Sequence, residues 1–235
     1  MKFFSAMKGT SIFSALICFL VTTQTSWSEN KDYHLGFRVA PRISTLGGGL
    51  EVAKGITPWF GLRGGVNYFT WNYETTESGN DYDVDLELKS FGLFADFHPF
   101  KQAFRVSLGF LINGNGVDGT AKLGQGEKLE VNGNEYFLVN DSALMKLTYN
   151  TFAPYAGIGW DTTFGDDDRW GFVFDLGVVF SGSPELALNA AVDSAVPSVI
   201  DQFEKDKTKE ITDLQDDFND FQFWPLLSAG IVYQF

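Results

Sequence analysis

One cysteine, two histidines and seven prolines are all that 235 residues contain of three informative residue types. The lone Cys18 excludes an intramolecular disulfide and a cysteine-built metal site. His34 and His98 stand in no zinc spacing, and no serine and carboxylate can be assembled with either into a nucleophilic trio. No enzyme activity and no cofactor is therefore expected. Asp166-Asp167-Asp168 lacks the ligand spacing of a calcium loop and reads as a solvated turn. Basic residues are also scarce: 17 Lys and Arg stand against 30 Asp and Glu, a formal charge of -13. Nucleic acid is excluded as a partner, because phosphate binding needs basic surface. Finally, no segment beyond the first has the run of about 18 apolar residues that a spanning helix requires. If the chain crosses a bilayer it must do so as a closed sheet, since lipid tolerates only helices and barrels.

The first segment reads as a targeting signal. Met1, Lys2 and Lys8 form a basic start, Ile12 to Val21 an apolar run, and Ser26-Trp27-Ser28 a cleavage site with small residues flanking a large one. Residues 1–28 are thus assigned as a secretory signal and 29–235 as the mature domain. Cys18 leaves with the signal. Ile17 occupies a position where lipidation needs a small residue.

What the chain has in abundance is glycine and phenylalanine, 25 and 24 residues. Both suit strands with tight turns and aromatic girdles. From Trp170 to Ser181, Trp170, Phe172, Phe174, Leu176, Val178 and Phe180 share one face, while Gly171, Val173, Asp175, Gly177, Val179 and Ser181 lie on the other. A soluble periplasmic β-protein would point its bulky face inward and carry Lys, Glu and Thr outside. A small, sparsely charged second face instead suits a crowded narrow lumen behind a lipid-facing wall. The last strand repeats the pattern to Tyr233 and Phe235, a terminal aromatic signature of the kind read by outer-membrane assembly machinery.

The same alternation predicts six further strands, near Leu35–Ile43, Leu50–Ala53, Phe60–Trp71, Asp83–His98, Phe104–Asn113 and Leu147–Asp161. In the fourth, Leu86 and Leu88 are out of phase with Phe91 and Leu93, which predicts a bulge near Lys89-Ser90. The expected fold is all-β: an eight-stranded antiparallel transmembrane β-barrel with one extracellular loop helix. Short turns fall at 54–59, 99–103 and 164–169, and long loops at about 114–146 and 189–220. The first long loop should hold a hairpin turning at Asn132-Gly133. The second reads as a helix from Pro197 to Asp220 with the stripe Ile200, Phe203, Ile211, Leu214, Phe218 and Phe221, resting on the barrel rim or acting as a lid. Arg38, Arg63, Arg105, Glu51, Asp96 and Asp175 should face the lumen near its periplasmic end. Buried charges must pair, so they form a salt-bridge plug or a selectivity filter.

A resemblance narrows the function. Trp59-Phe60-Gly61-Leu62, Tyr82-Asp83-Val84-Asp85, the run Gly92 to Pro99, Ala153 to Gly159, and Trp170-Gly171-Phe172 through Ser181 to Leu186 resemble, in order and spacing, the CarO-type small outer-membrane proteins, which are related in architecture to OmpW-like barrels. The resemblance implies an eight-stranded barrel, and the chain is expected to be a monomer in the outer membrane of a Gram-negative cell. Its partners would be lipid, lipopolysaccharide and the assembly machinery. Its function would be a narrow channel or uptake protein for small polar solutes such as basic amino acids. The alternative is a non-conducting surface barrel whose loops bind a host, phage or envelope partner. The acidic segment before the last strand departs from the resemblance.

Overall fold

The computed structural model describes residues 34–77, 80–124, 127–218 and 222–235. The predicted signal, residues 1–28, lies outside them, as does Phe221 of the helix stripe. Described in chain order are β1 (Phe37–Ser44), β2 (Gly47–Thr57), β3 (Phe60–Glu77), β4 (Asn80–Phe97), β5 (Phe104–Asn113), β6 (Gly116–Lys122), β7 (Leu129–Val131) and β8 (Asn134–Tyr136). They continue with β9 (Ser142–Thr148), β10 (Phe152–Asp161), β11 (Trp170–Phe180), β12 (Glu185–Asn189), helix α1 (Pro197–Phe218) and β13 (Phe223–Gln234).

Strands β1 to β5, β10, β11 and β13 close an antiparallel eight-stranded barrel, with β13 pairing β1 and β4 pairing β5. Three tight turns mark one end, the turn end. The other, the loop end, carries everything else. Alternation makes the wall: Phe37, Leu62, Leu93, Leu108, Phe172 and Ile231 all face outward and are exposed. Closure at this strand number needs a small inner face. At Gly177 an added Cβ would lie 2.5 Å from the Tyr155 ring, and at Gly159 it would meet Asp175 and Arg105. These glycines leave room for large side chains from neighbouring strands.

Beyond the barrel the loop end builds a second sheet. β4 exchanges its neighbour β5 for β6, and β6, β9 and β12 follow in order. The expected bulge at Lys89-Ser90 is absent: β3 and β4 pair without interruption from Phe60↔Phe97 to Glu77↔Asn80. Leu86 and Leu88 simply point inward, Leu88 being buried. The irregularity lies on the other edge, where Gly114 N–H donates to the Lys89 carbonyl and Asn115 Oδ1 accepts from Lys89 N–H. Leu86 and Leu88 belong to the extension, whose inner face is apolar rather than a charged lumen, so a polar-in rule no longer applies. The expected single strand Leu147–Asp161 is likewise two. β9 belongs to the extension and β10 to the barrel, with residues 149–151 turning between them.

Hairpin β7–β8 turns at Asn132-Gly133, both with positive φ (48° and 79°), the requirement of a tight type I′ turn. Helix α1 packs on this hairpin and on β12 rather than on the barrel rim. Phe203 is fully buried among Val131, Tyr136, Leu138, Ala143 and Leu188. The helix was expected to rest on the barrel rim. A dry cluster and a set of hydrogen bonds anchor it instead, because the hairpin supplies an apolar face that the rim lacks.

Candidate functional site

Each barrel strand delivers its inward residues to one narrow lumen, and the turn-end half of that lumen is charged. The six predicted residues meet there, all buried: Arg38, Glu51, Arg63, Asp96, Arg105 and Asp175. Two more join them, Arg42 from β1 and Asp161 from β10. Arg38 Nη1 donates to Asp161 Oδ2 at 2.5 Å. Arg63 reaches Asp96 Oδ2 through Nε at 2.8 Å, Glu51 Oε2 through Nη1 at 2.8 Å, and Ser107 Oγ through Nη2 at 3.2 Å. Ser107 in turn donates to Asp96 Oδ1 at 2.6 Å. Asp175 is the hub, accepting from Arg105 Nη2 at 2.9 Å, Arg63 Nη1 at 3.2 Å and Arg42 Nη2. Arg42 also holds Glu51. Four guanidiniums and four carboxylates thus cancel in a space closed to solvent. Arg42 was legible in the pattern, since it is in phase with Arg38 on one strand, as is Asp161 with Tyr155.

Above the charges the lumen is apolar. Leu46, Leu111, Ala153, Tyr155, Val179 and Leu226 form a buried cluster, with Phe94 and Trp224 against it. Between the layers a cavity of about 30 Å³ is lined by Arg42, Glu51, Asn67, Tyr155, Asp175 and Ser228. A water needs roughly 10–15 Å³ of such space, so there is room for a water or two and not for a solute. Arg42 Nε and Tyr155 Oη, both buried, have no hydrogen-bond partner among the described residues and border this cavity.

The turn end is corked. His98 is fully buried, because Phe164 folds into the mouth and stacks on its ring at 3.4 Å and 3°. The Arg38 guanidinium lies over the other ring of this pair, 4.9 Å from the Phe164 centroid. His98 Nδ1 donates to the Gln102 carbonyl at 2.8 Å. Burial pushes its pKa down to about 4, so the ring is neutral near pH 7. His34 remains exposed beside Asp167, at 2.8 Å. Tyr233 and Phe235 lie on the outer wall at this end, Tyr233 against Trp170 at 4.8 Å and Phe235 at 4.9 Å.

At the loop end the cap has its own polar centre. Asp206, on the buried face of α1, accepts from Tyr136 Oη at 2.5 Å, Asn134 Nδ2 at 2.8 Å, Gln202 Nε2 at 3.0 Å and Asn132 Nδ2 at 3.1 Å. Those donors, Tyr136 foremost, hold its carboxyl well below the usual carboxylate range. Burial and the Asp206 contact push Tyr136 up to about 12. Glu210 caps the Asn132 N–H at 3.0 Å. No grouping suited to a metal occurs among the described residues.

A closed eight-stranded antiparallel barrel, with a charged layer in its lumen and an aromatic outer wall, defines the structural class. Two crystal structures share it: CarO2 of Acinetobacter baumannii, TM-score 0.54 at 23% identity over 86% of this chain and 99% of that one, and CarO of the same organism, TM-score 0.51 at 20% identity over 88% and 100%. The chain has the CarO-type barrel fold. No family model matches the chain, and no curated protein does.

Proposed function

We propose that the protein is an outer-membrane β-barrel, closed in the form described, whose working surface is the cap at its loop end. The outer wall carries this reading. It bears two aromatic belts, Trp59, Phe97, Phe104, Trp160 and Trp170 at the turn end and Phe110, Phe152, Phe180 and Phe223 at the loop end. Trp170 and Phe180 sit at opposite ends of β11, roughly 33 Å apart along the strand. At a strand tilt of about 40° this is roughly 25 Å along the barrel axis, the height of the apolar band in such proteins. The turn end then faces the periplasm and the cap the exterior. Lipid and lipopolysaccharide surround the wall, and Tyr233 and Phe235 serve the assembly machinery.

A second reading is uptake of small polar solutes such as basic amino acids. Its support is the pair of carboxylates, Glu51 and Asp175, that border the central cavity. It requires the ion-pair layer and the apolar layer above it to open. Fractionation tests the first reading: the mature chain should sediment with outer membranes and change its gel mobility on heating. Recovery from the soluble periplasmic fraction would overturn it. Conductance in planar bilayers separates the two functions, steady solute-dependent steps favouring uptake.

A further inference from the structure

The upper half of β3 is an edge of the extension sheet. β2 pairs with β3 only as far as Gly48↔Tyr68, whereas β3 runs on to Glu77 with β4 as its one strand partner among the described residues. The direction of the free backbone groups follows from the glycines opposite. A Cβ added at Gly49 would meet the Val66 carbonyl, and one at Gly47 would lie 2.5 Å from the Tyr68 carbonyl. Carbonyl and N–H groups of one strand residue point the same way, and alternate residues point oppositely. Thr70, Asn72, Glu74 and Thr76 therefore turn their main-chain donors and acceptors toward the vacant edge.

The two faces beside that edge differ. On the inner face Phe69, Trp71 and Tyr73 are 43%, 58% and 52% exposed, beyond the reach of the cluster around Phe203. On the outer face Glu74 stands opposite Asp83, and Asp85 opposite Asp118. Directly opposed like charges destabilise a sheet. Glu74, Asp83 and Asp85 have no ion-pair partner among the described residues; Asn72 alone bridges the two aspartates, at 2.8 Å each.

We propose that β3 from Phe69 to Glu77 is a docking edge for an extended cationic peptide, added as a strand, with basic side chains beside Glu74, Asp83 and Asp85 and apolar ones alternating against Trp71 and Tyr73. Main-chain bonds supply affinity in such additions and the alternate side chains supply choice. Charge decides the occupant. A second copy would set one Glu74 row against another, and an anionic lipid headgroup would meet the same carboxylates. Placement outside the cell rests on the membrane reading above; the binding itself does not.

The test uses the full mature chain in detergent micelles and a labelled peptide alternating lysine with valine, read by anisotropy. Binding should weaken as salt rises, and amide exchange should slow at Thr70, Asn72, Glu74 and Thr76. Glu74→Pro removes an N–H that serves no native ladder, so the barrel keeps its heat-modifiable mobility. Its affinity should fall about tenfold, while Glu74→Gln loses only about two- to threefold, an exposed charge being worth little. Should Glu74→Pro fail to fold, Asp83→Asn with Asp85→Asn supplies the charge arm, and amide protection the strand arm. Equal binding by a peptide of the same composition with its lysines blocked together, or by the glutamate counterpart, overturns the proposal. So does a dimer forming without peptide and abolished by Glu74→Pro. Failure of fractionation with peptide binding intact would remove the membrane reading alone.

Discussion

Asp175 shows how much a single side chain can hold in a closed lumen. It accepts from Arg42, Arg63 and Arg105, and it is 1% exposed. Asp175→Ala would leave those guanidiniums short of an acceptor in a dry space, which costs about 3–5 kcal/mol when a buried pair loses one partner. Urea unfolding from lipid vesicles should register that loss. Glu51→Ala should cost less, because Glu51 accepts from two guanidiniums, Arg42 and Arg63, where Asp175 accepts from three. His98 makes a second residue-scale prediction. Its pKa is about 4 in the folded chain, lowered chiefly by burial, and near the ordinary 6.5 when unfolded. Between those values the unfolded chain binds a proton that the folded chain does not. Stability therefore rises with pH through the window and falls on acidification, by about 3 kcal/mol across its full width. His98→Phe, which keeps the stack on Phe164, should flatten the profile between pH 4 and 6.5.

Helix α1 and hairpin β7–β8 act as one element because each completes the other. The hairpin alone has three residues a side, too few for independent stability. The helix brings Phe203 and Asp206 to it, one apolar and one charged, on the same face. Since α1 is docked, trypsin should cut slowly at Lys205, Lys207 and Lys209 in the folded protein. Asp206→Ala should make cutting fast by leaving Tyr136, Asn132 and Asn134 without their acceptor. The Asp206 carboxyl is held below its unfolded value, so its contribution is present above about pH 4 and is lost as pH falls through the folded value. Docking followed by amide exchange should thus be unchanged from pH 7 to 5 and weaken only in stronger acid. Weakening already at pH 6 would point to another group.

At the scale of the molecule, two layers close the lumen, ion pairs below and apolar side chains above, and both lie beneath the cap. Removing residues 197–218 should therefore leave the barrel folded and electrically silent in planar bilayers. A lid would behave differently: its loss would raise conductance. Opening should instead need changes within the layers, such as Leu226→Ala combined with Arg42→Ala, which lines the cavity between them.

Much of this was legible in the residues themselves. Alternation over Trp170–Ser181 and Phe223–Phe235 sorted wall from lumen, because a strand repeats every two residues whatever surrounds it. The same period brought Arg38, Arg63, Arg105, Glu51, Asp96 and Asp175 to one side, and Asn132-Gly133 marked its own turn. Alternation states only which side a residue takes, and not what lies on that side. Leu86 and Leu88 keep the phase of Ser90 and Asp96, yet their inner face is an apolar extension and not a charged lumen. Whether Leu147–Asp161 was one strand or two depended on which neighbours β9 and β10 would pair with, a long-range choice that no local pattern encodes. Phe164 as a cork, Asp206 as the anchor of the cap and Asp175 as the hub were decided by the tertiary structure. Each owes its role to partners supplied by distant elements, and only closure of the barrel brings those partners within bonding distance.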